Sequence, residues 1–224
     1  MSENTIIITA GGSGQRMKAE IPKQFIPVHE KPLLMWAIEA FFAYKSDIKI
    51  MLVIPENHVD LWNDLCREFD FNISHQIVYG GDNRFQSVKN AVELINEDGL
   101  TGVHDGVRPF PSLNTIGQAF NDAGKFGSAV PFVDSTDSLR FVDKQNSKII
   151  NRDKVKRIQT PQVFQTEILK KAYQQPYNEG FTDDASVVEH LGHDIHLFEG
   201  NMENIKVTTP MDLRLVISLA EMFH

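Results

Sequence analysis

The chain has 224 residues, one cysteine, and 30 acidic against 22 basic side chains for a formal charge of −8. Such a length can form one α/β domain with a substantial core. The lone Cys66 excludes an internal disulfide and suits a reducing compartment, while the acidic balance excludes a broad nucleic-acid surface, which needs a basic stripe. Apolar runs stop at strand length, far below the roughly 20 residues of a membrane span. Met1-Ser2-Glu3-Asn4 shows no basic and apolar leader, so the expectation is a cytoplasmic protein that neither enters a membrane nor binds nucleic acid.

Residues 5–9 are predicted as a buried parallel strand, because Ile6-Ile7-Ile8 is a β-branched run without polar alternation. It stops at Gly11, Gly12 and Gly14, where backbone N–H groups can approach a ligand closely. Arg16, Lys18 and Lys23 follow, the last within Pro22-Lys23-Gln24. A glycine loop backed by cations is an anion cradle, and a polyphosphate is its simplest ligand. A dinucleotide fingerprint needs a glycine where Met17 stands, and a P-loop needs Lys-Ser/Thr where Gln15-Arg16 stands. Neither motif fits.

Strand and helix signals then alternate, as in βαβ units with a mostly parallel sheet. Helices are predicted over 32–42, 58–69, 84–96 and 113–125, and strands over 48–54, 73–79, 102–104 and 128–131. Cys66, beside Leu61 and Leu65, reads as a core-facing thiol. Residues 134–157 break the alternation: 138–142 and 148–152 read as short strands around a polar turn. An isolated hairpin is marginal in water, so it packs on the parent domain or, the favoured reading, on a second subunit. The run Arg152-Asp153-Lys154-Val155-Lys156-Arg157 reads by itself as a solvated segment. Farther on come a helix around Lys170-Lys171-Ala172-Tyr173, a helix capped by Thr182, strands at 195–199 and 205–207, and a final helix. That helix has Thr209 as N-cap, Pro210 at its first position and Asp212 completing a capping box. The whole chain reads as one domain.

Ligands of open α/β sheets bind beyond the carboxyl ends of the strands. Four such ends are polar or glycine-rich here: the first glycine loop, Gly80-Gly81-Asp82-Asn83-Arg84, His104-Asp105-Gly106-Val107-Arg108-Pro109, and Asn204-Ile205-Lys206-Val207. Their coincidence on one rim points to a nucleotide site, with Arg16, Lys23 and Lys206 around phosphate and Asp105 close by. No Ser-His or Cys-His pair accompanies them, which fits nucleotidyl transfer by positioning and charge neutralisation. A divalent cation, Mg²⁺ in the first instance, is expected to bridge triphosphate oxygens, with Asp105 as the one named protein ligand. His190, His193 and His196 straddle a helix end and a strand, and read as surface histidines. His104 should point away from Asp105's face and reads as structural.

These motifs, together with Ser87, Thr160-Pro161-Gln162, Thr182-Asp183-Asp184-Ala185-Ser186 and Glu199-Gly200, resemble the 2-C-methyl-D-erythritol 4-phosphate cytidylyltransferases along nearly the whole chain. The resemblance implies a Rossmann-like nucleotidyltransferase fold with a protruding β-arm at 134–157 that embraces a second subunit. It implies CTP held by Ala10, Gly11, Gly12, Gly14, Gly81, Asp82, Ser87 and Asp105, with Arg16, Lys23 and Lys206 as catalytic cations. The polyol phosphate acceptor would meet Asp105, Arg108, Arg152, Thr160, Thr182 and Lys206, with Arg152 completing the partner's site. Ribitol 5-phosphate cytidylyltransferases look similar over several segments, so a pentitol phosphate is the alternative acceptor; a catalytically silent nucleotide-binding module is the alternative of another class. Two departures touch the acceptor side. Gly106-Val107 stands where two alanines are commoner, and Asp134-Ser135-Thr136-Asp137 leaves open which hydroxyl meets the acceptor.

Overall fold

Ile6, Ile7 and Ile8 are fully buried and alternate between two core faces, which is why no polar residue interrupts the run. They belong to β1 (Glu3–Thr9), an inner strand of an eight-stranded sheet. The computed structural model describes residues 3–12, 21–95 and 98–223. A short antiparallel pair, β2 (Pro27–Val28) and β3 (Lys31–Pro32), precedes α1 (Leu33–Tyr44) and β4 (Lys49–Ile54). Next come α2 (Val59–Glu68), β5 (Gln76–Tyr79), α3 (Arg84–Glu93) and β6 (Gly99–Asp105). β6, β1, β4 and β5 are parallel neighbours in that order. The chain therefore changes its direction of travel across the sheet between β1 and β6, and a crevice opens beyond their carboxyl ends.

The second half widens the sheet. α4 (Leu113–Phe126) leads to β7 (Ser128–Asp134), then to the arm formed by β8 (Leu139–Asp143) and β9 (Asn146–Ile150). β10 (Lys156–Ile158) returns antiparallel to the end of β7, so the arm stands on a paired stalk. β11 (Gln162–Gln165) inserts antiparallel between β6 and β7. α5 (Thr166–Tyr173), α6 (Asp184–His190), β12 (Leu197–Glu199) and α7 (Pro210–Ala220) complete the chain. Ile6, Ile8 and Leu52 pack on α1, α2 and α4 through Leu34, Phe41, Trp62 and Phe120. Ile7, Met51 and Val53 pack on α3, α5 and α6 through Val88, Leu169 and Val188. Each such side chain contributes about 1.5–3 kcal/mol when fully buried. Cys66 is partly buried against the first cluster, and burial pushes its thiol up to about 11.

Several expectations need correction. Residues 205–207 form no strand; Val207 N–H makes a single bond to Val107 O at 2.9 Å, and Val207 is buried beside α7 instead of joining a ladder. The cap of α6 is Asp183, one residue later than expected: its carboxylate accepts from Ser186 N–H at 2.9 Å, while Thr182 N–H is taken by Ser186 Oγ. Arg152 lies beyond the arm strand in a 3₁₀ turn, because the Asn151 side chain accepts from Asp153 N–H and stops β9 at Ile150. β10 and β11 were not expected at all; β11 has only four residues, and Val163 and Phe164 point to opposite cores. The final helix has the predicted capping box of Thr209 and Asp212 with Pro210 in its first turn.

Gly106 sits where β6 leaves the sheet, its N–H donating to Thr9 O at 2.9 Å. A Cβ there would meet Leu34 Cδ1 at 2.8 Å and Thr9 O at 3.1 Å. The alanine commoner in the resembling family therefore does not fit this chain without moving a fully buried leucine. Gly106→Ala is expected to lower stability by about 1–3 kcal/mol, the cost of overpacking. The check is the urea midpoint at constant m-value; an unchanged or higher midpoint contradicts the packing argument.

Candidate active site

The crevice holds a cavity of about 460 Å³ lined by the exits of β1, β4, β5 and β6 and by Lys23 and Lys206. At the β1 exit, Ala10 N–H donates to Val53 O at 2.8 Å, and Ala10 O accepts from the buried Gln24 Nε2 at 2.6 Å. The Gln of Pro22-Lys23-Gln24 thus anchors the loop, and the 3₁₀ turn Lys23–Phe25 presents its lysine to it. A Cβ on Gly12 would stand 3.2 Å from Lys23 Cε, so glycine lets the lysine lie against the backbone. Lys23 Nζ also donates to Val207 O at 3.4 Å. Gly14 and Arg16, expected beside them, lie outside the described residues.

At the β5 exit, Ser87 Oγ accepts from Gly81 N–H at 3.0 Å and donates to Asn83 O at 2.8 Å, while the Asn83 side chain caps α3. Ser87 therefore braces the loop whose Gly81 and Asp82 line the cavity. A Cβ on Gly81 would come within 2.4 Å of Gln86 Cγ, so a side chain there would have to displace Gln86 at the start of α3. Glu56, just after β4, lines the same cavity; it was not singled out from the sequence.

At the β6 exit, Asp105 is buried and its Oδ2 accepts from Lys206 Nζ at 3.0 Å and Arg108 Nε at 3.1 Å. Burial opposes its ionisation, but Lys206, Arg84 and Arg108 override that and hold the carboxyl well below the usual range. Its N–H donates to Thr160 Oγ1 at 3.1 Å. His104, fully buried, lies 3.0 Å from Thr160 Oγ1 through Nδ1 and 2.9 Å from Arg108 O through Nε2. A carbonyl can only accept, so Nε2 carries the proton and Nδ1 accepts from the Thr160 hydroxyl. Burial pushes the His104 imidazole down to about 4, keeping it neutral. His104 is thus structural, as its strand position indicated, and Thr160 fixes Asp105.

Lys206 rides on a segment tied down by Asn204, whose Nδ2 donates to Thr160 O at 2.7 Å and whose carbonyl accepts from Arg108 Nη1 at 2.8 Å. With its other nitrogens on Asp105 and, at 3.5 Å, on Ile158 O, Arg108 is a brace between Asp105 and the Lys206 segment. A second cavity of about 280 Å³ adjoins the first and shares Arg84, Asp105 and Lys206 with it. Arg108, Thr160 and Thr182 line it. Arg152 lines neither cavity; it is exposed and donates to Thr136 O at 2.7 Å.

Among the described residues no group of three or more His, Cys, Asp or Glu side chains is placed to hold a metal. His196 instead stacks on Phe126 with ring centroids 4.1 Å apart, and its Nε2 stands 3.7 Å from Asp122. Arg84 lines both cavities but had no assigned role beyond its place in the motif. One signal pointed to it: an arginine in the first turn of a helix opposes the dipole and calls for a carboxylate partner. No helix among the described residues is long and apolar enough to cross a membrane.

Two adjoining cavities, one cationic and floored by glycine backbone, the other reached by the same lysine, suit a polyphosphate and a second anion. Comparison with known proteins agrees. The family model described as IspD, 2-C-methyl-D-erythritol 4-phosphate cytidylyltransferase, matches residues 4–222. The protein of that name from Bacteroides thetaiotaomicron is 47% identical over 213 residues, covering 95% of this chain and 97% of its own. The one from Azobacteroides pseudotrichonymphae is 43% identical over 223 residues, covering 99% and 100%. Among solved structures, 4-diphosphocytidyl-2C-methyl-D-erythritol synthase from Anaerococcus prevotii superposes with a TM-score of 0.83 at 27% identity, covering 98% of this chain and 96% of that one. Sequence, fold and site geometry lead to one conclusion: this chain belongs to the 2-C-methyl-D-erythritol 4-phosphate cytidylyltransferase family.

Proposed function

We propose that the larger cavity binds CTP with its triphosphate over residues 10–12, and that the smaller one takes the phosphate of 2-C-methyl-D-erythritol 4-phosphate. The observation that carries this is the sharing of Arg84, Asp105 and Lys206 by the two cavities. An acceptor phosphate in the second would face the α-phosphate in the first. An ionised acceptor oxygen attacks the α-phosphorus, the bond to the β-phosphate oxygen breaks, and pyrophosphate leaves. The nucleophile arrives deprotonated, so no protein base is needed, in keeping with the absence of a Ser-His or Cys-His pair among the described residues that line the two cavities. The product is 4-diphosphocytidyl-2-C-methyl-D-erythritol, an intermediate of isoprenoid biosynthesis. Lys23 and Arg16 stabilise charge on the reacting phosphate and Lys206 orients the acceptor. Asp105 keeps Lys206 in place.

Mg²⁺ suits this site as a companion of the triphosphate. Mg²⁺ commonly binds through one or two carboxylates plus substrate phosphates, and Asp105 is a cavity-lining carboxylate held ionised. Bound there, the cation would neutralise triphosphate charge. The assay is pyrophosphate release with CTP, Mg²⁺ and each acceptor in turn. Release with 2-C-methyl-D-erythritol 4-phosphate is expected; release only with ribitol 5-phosphate, or with neither, overturns the assignment.

The arm supports a homodimer. Its two strands form a separate sheet, and Phe141, Val142 and Ile149 are 60%, 65% and 76% exposed. Such apolar surface on an isolated hairpin calls for a partner, and a second copy would bring Arg152 to the other protomer's acceptor cavity. Arg152→Ala is expected to raise the acceptor KM about tenfold, as for loss of a charge-assisted hydrogen bond worth about 1.5–3 kcal/mol, with the CTP KM little changed. Mixed dimers of Arg152→Ala and Arg16→Ala should regain activity, since one site would hold both native residues. Verified heterodimers without any recovery contradict sharing. The reducing cytoplasm completes the reading, since the sole cysteine is a free, partly buried thiol.

A further inference from the structure

Arg84 opens α3 directly after the loop that carries Gly81 and Asp82. A cation in that first turn is opposed by the helix dipole. Asp184, in the first turn of α6, compensates it: Arg84 Nη1 donates to Oδ1 at 3.0 Å and Nη2 to Oδ2 at 2.6 Å. Asp184 is fully buried, and Tyr173 Oη donates to its Oδ1 at 2.6 Å. Two parallel bonds between planar groups fix distance and angle together. The ends of this fork belong to different walls. Arg84 belongs to the nucleotide wall and faces both cavities, whereas Asp184 follows Thr182 and Asp183, which line only the second. Gln162 stiffens that turn, donating to Asp183 Oδ2 at 2.8 Å and accepting from Ala185 N–H at 2.8 Å.

We propose that Arg84 is a positioning residue that couples the two subsites: by gripping Asp184 it sets the turn at 182–185 against the nucleotide loop, so that the acceptor is oriented only while the fork is intact. Nothing in this role requires Arg84 to touch either substrate. It rests on the reading of the second cavity as the acceptor's. The Coulombic field of Arg84 also reaches Asp105, which helps keep that carboxyl ionised opposite Lys206. Nucleotide loop, acceptor turn and central carboxylate thus share one guanidinium.

The test is steady-state kinetics with CTP and 2-C-methyl-D-erythritol 4-phosphate, beside thermal melting. Arg84→Lys keeps the charge and loses the planar fork. Its acceptor KM should rise about tenfold or more while the CTP KM stays within about threefold, since misplacement of a positioning element falls on the substrate that element orients. Tyr173→Phe removes a bond to the same buried carboxylate, but Tyr173 lines neither cavity. It should lower the melting temperature and leave both KM values within about threefold. If Arg84→Lys only lowers the melting temperature, or if both variants shift the acceptor KM alike, Arg84 is merely structural and the proposal falls. Should Arg84→Lys fail to fold, Arg84→Gln combined with Asp184→Asn removes both charges without stranding a buried carboxylate, and the same split between the two KM values is required of it. The unaltered enzyme runs in the same assay. Its failure to release pyrophosphate refutes the reading of the site, whereas its turnover with no KM split in the variants refutes Arg84's role alone.

Discussion

Lys23→Ala is expected to lower kcat by about 10²–10³-fold, with kcat/KM falling in parallel and the CTP KM changing far less. The magnitude is that of losing one preorganised donor to a developing anion, about 2.7–4 kcal/mol. Three features make Lys23 preorganised and not a loose surface cation. A 3₁₀ turn presents it, the adjacent Gln24 is fully buried and pinned to Ala10 O, and Gly12 leaves room for its Cε where a Cβ would stand 3.2 Å away. Its ammonium also reaches Val207 O, next to Lys206, so the triphosphate end and the acceptor end of the site meet at one lysine. A loss confined to KM would mean that Lys23 holds ground state and transition state equally. An unchanged kcat contradicts the catalytic assignment outright. Arg16→Ala, at a position outside the described residues, carries the same expectation on sequence grounds.

The parts of this fold that sequence revealed are those where one physical cause dominates. Ile6-Ile7-Ile8 has no polar alternation because both sheet faces are covered, and Thr209-Pro210 with Asp212 starts a helix by capping chemistry alone. β11 was hidden because four residues after a proline, with adjacent apolar side chains serving different cores, carry neither period 2 nor period 3.6. Residues 205–207 misled for the opposite reason. Their apolar character serves burial beside α7 and Val107, and Val207 makes one backbone bond, to Val107 O, instead of a ladder. Three strand exits made the candidate site legible, since Gly12, Gly81 and Asp105 line one cavity; Lys206 lines it too, but from a segment that is no strand. What stayed hidden was the division of labour. Whether Arg108 touches a ligand or braces Asp105 depends on Asn204 and Ile158, which are 96 and 50 residues away in sequence. Arg84 needed Asp184, 100 residues on, to acquire a meaning.

The second large effect is on stability in acid, and it originates behind the site. Burial lowers His104 from an ordinary value of 6.5 to about 4. In the unfolded chain His104 takes up its proton near 6.5, while in the folded chain it resists until about 4. The unfolded state thus binds more protons across that window, and stability falls as pH drops through it, by about 1.4 kcal/mol per unit at most and about 3 kcal/mol in total. Above 6.5 the contribution is complete. Asp105 does not share this window: its folded value is held below the ordinary carboxylate range, so its contribution persists until more acidic pH and is lost only there. The penalty on protonated His104 has a structural reading. The ring is fully buried, and that loss of solvation, helped by the Arg108 charge, outweighs the hydrogen bonds to Arg108 O and Thr160 and the Asp105 carboxylate, all of which favour the protonated form. The Thr160 hydroxyl beside the ring also accepts from the Asp105 N–H, so His104 and the central carboxylate share one neighbour. Urea unfolding at steps between pH 7.5 and 4.5 should show the slope, and His104→Gln, neutral throughout, should flatten it by about one proton's worth while lowering stability at pH 7.5. Parallel pH curves for the two proteins would place the acid sensitivity elsewhere and remove His104 from the account.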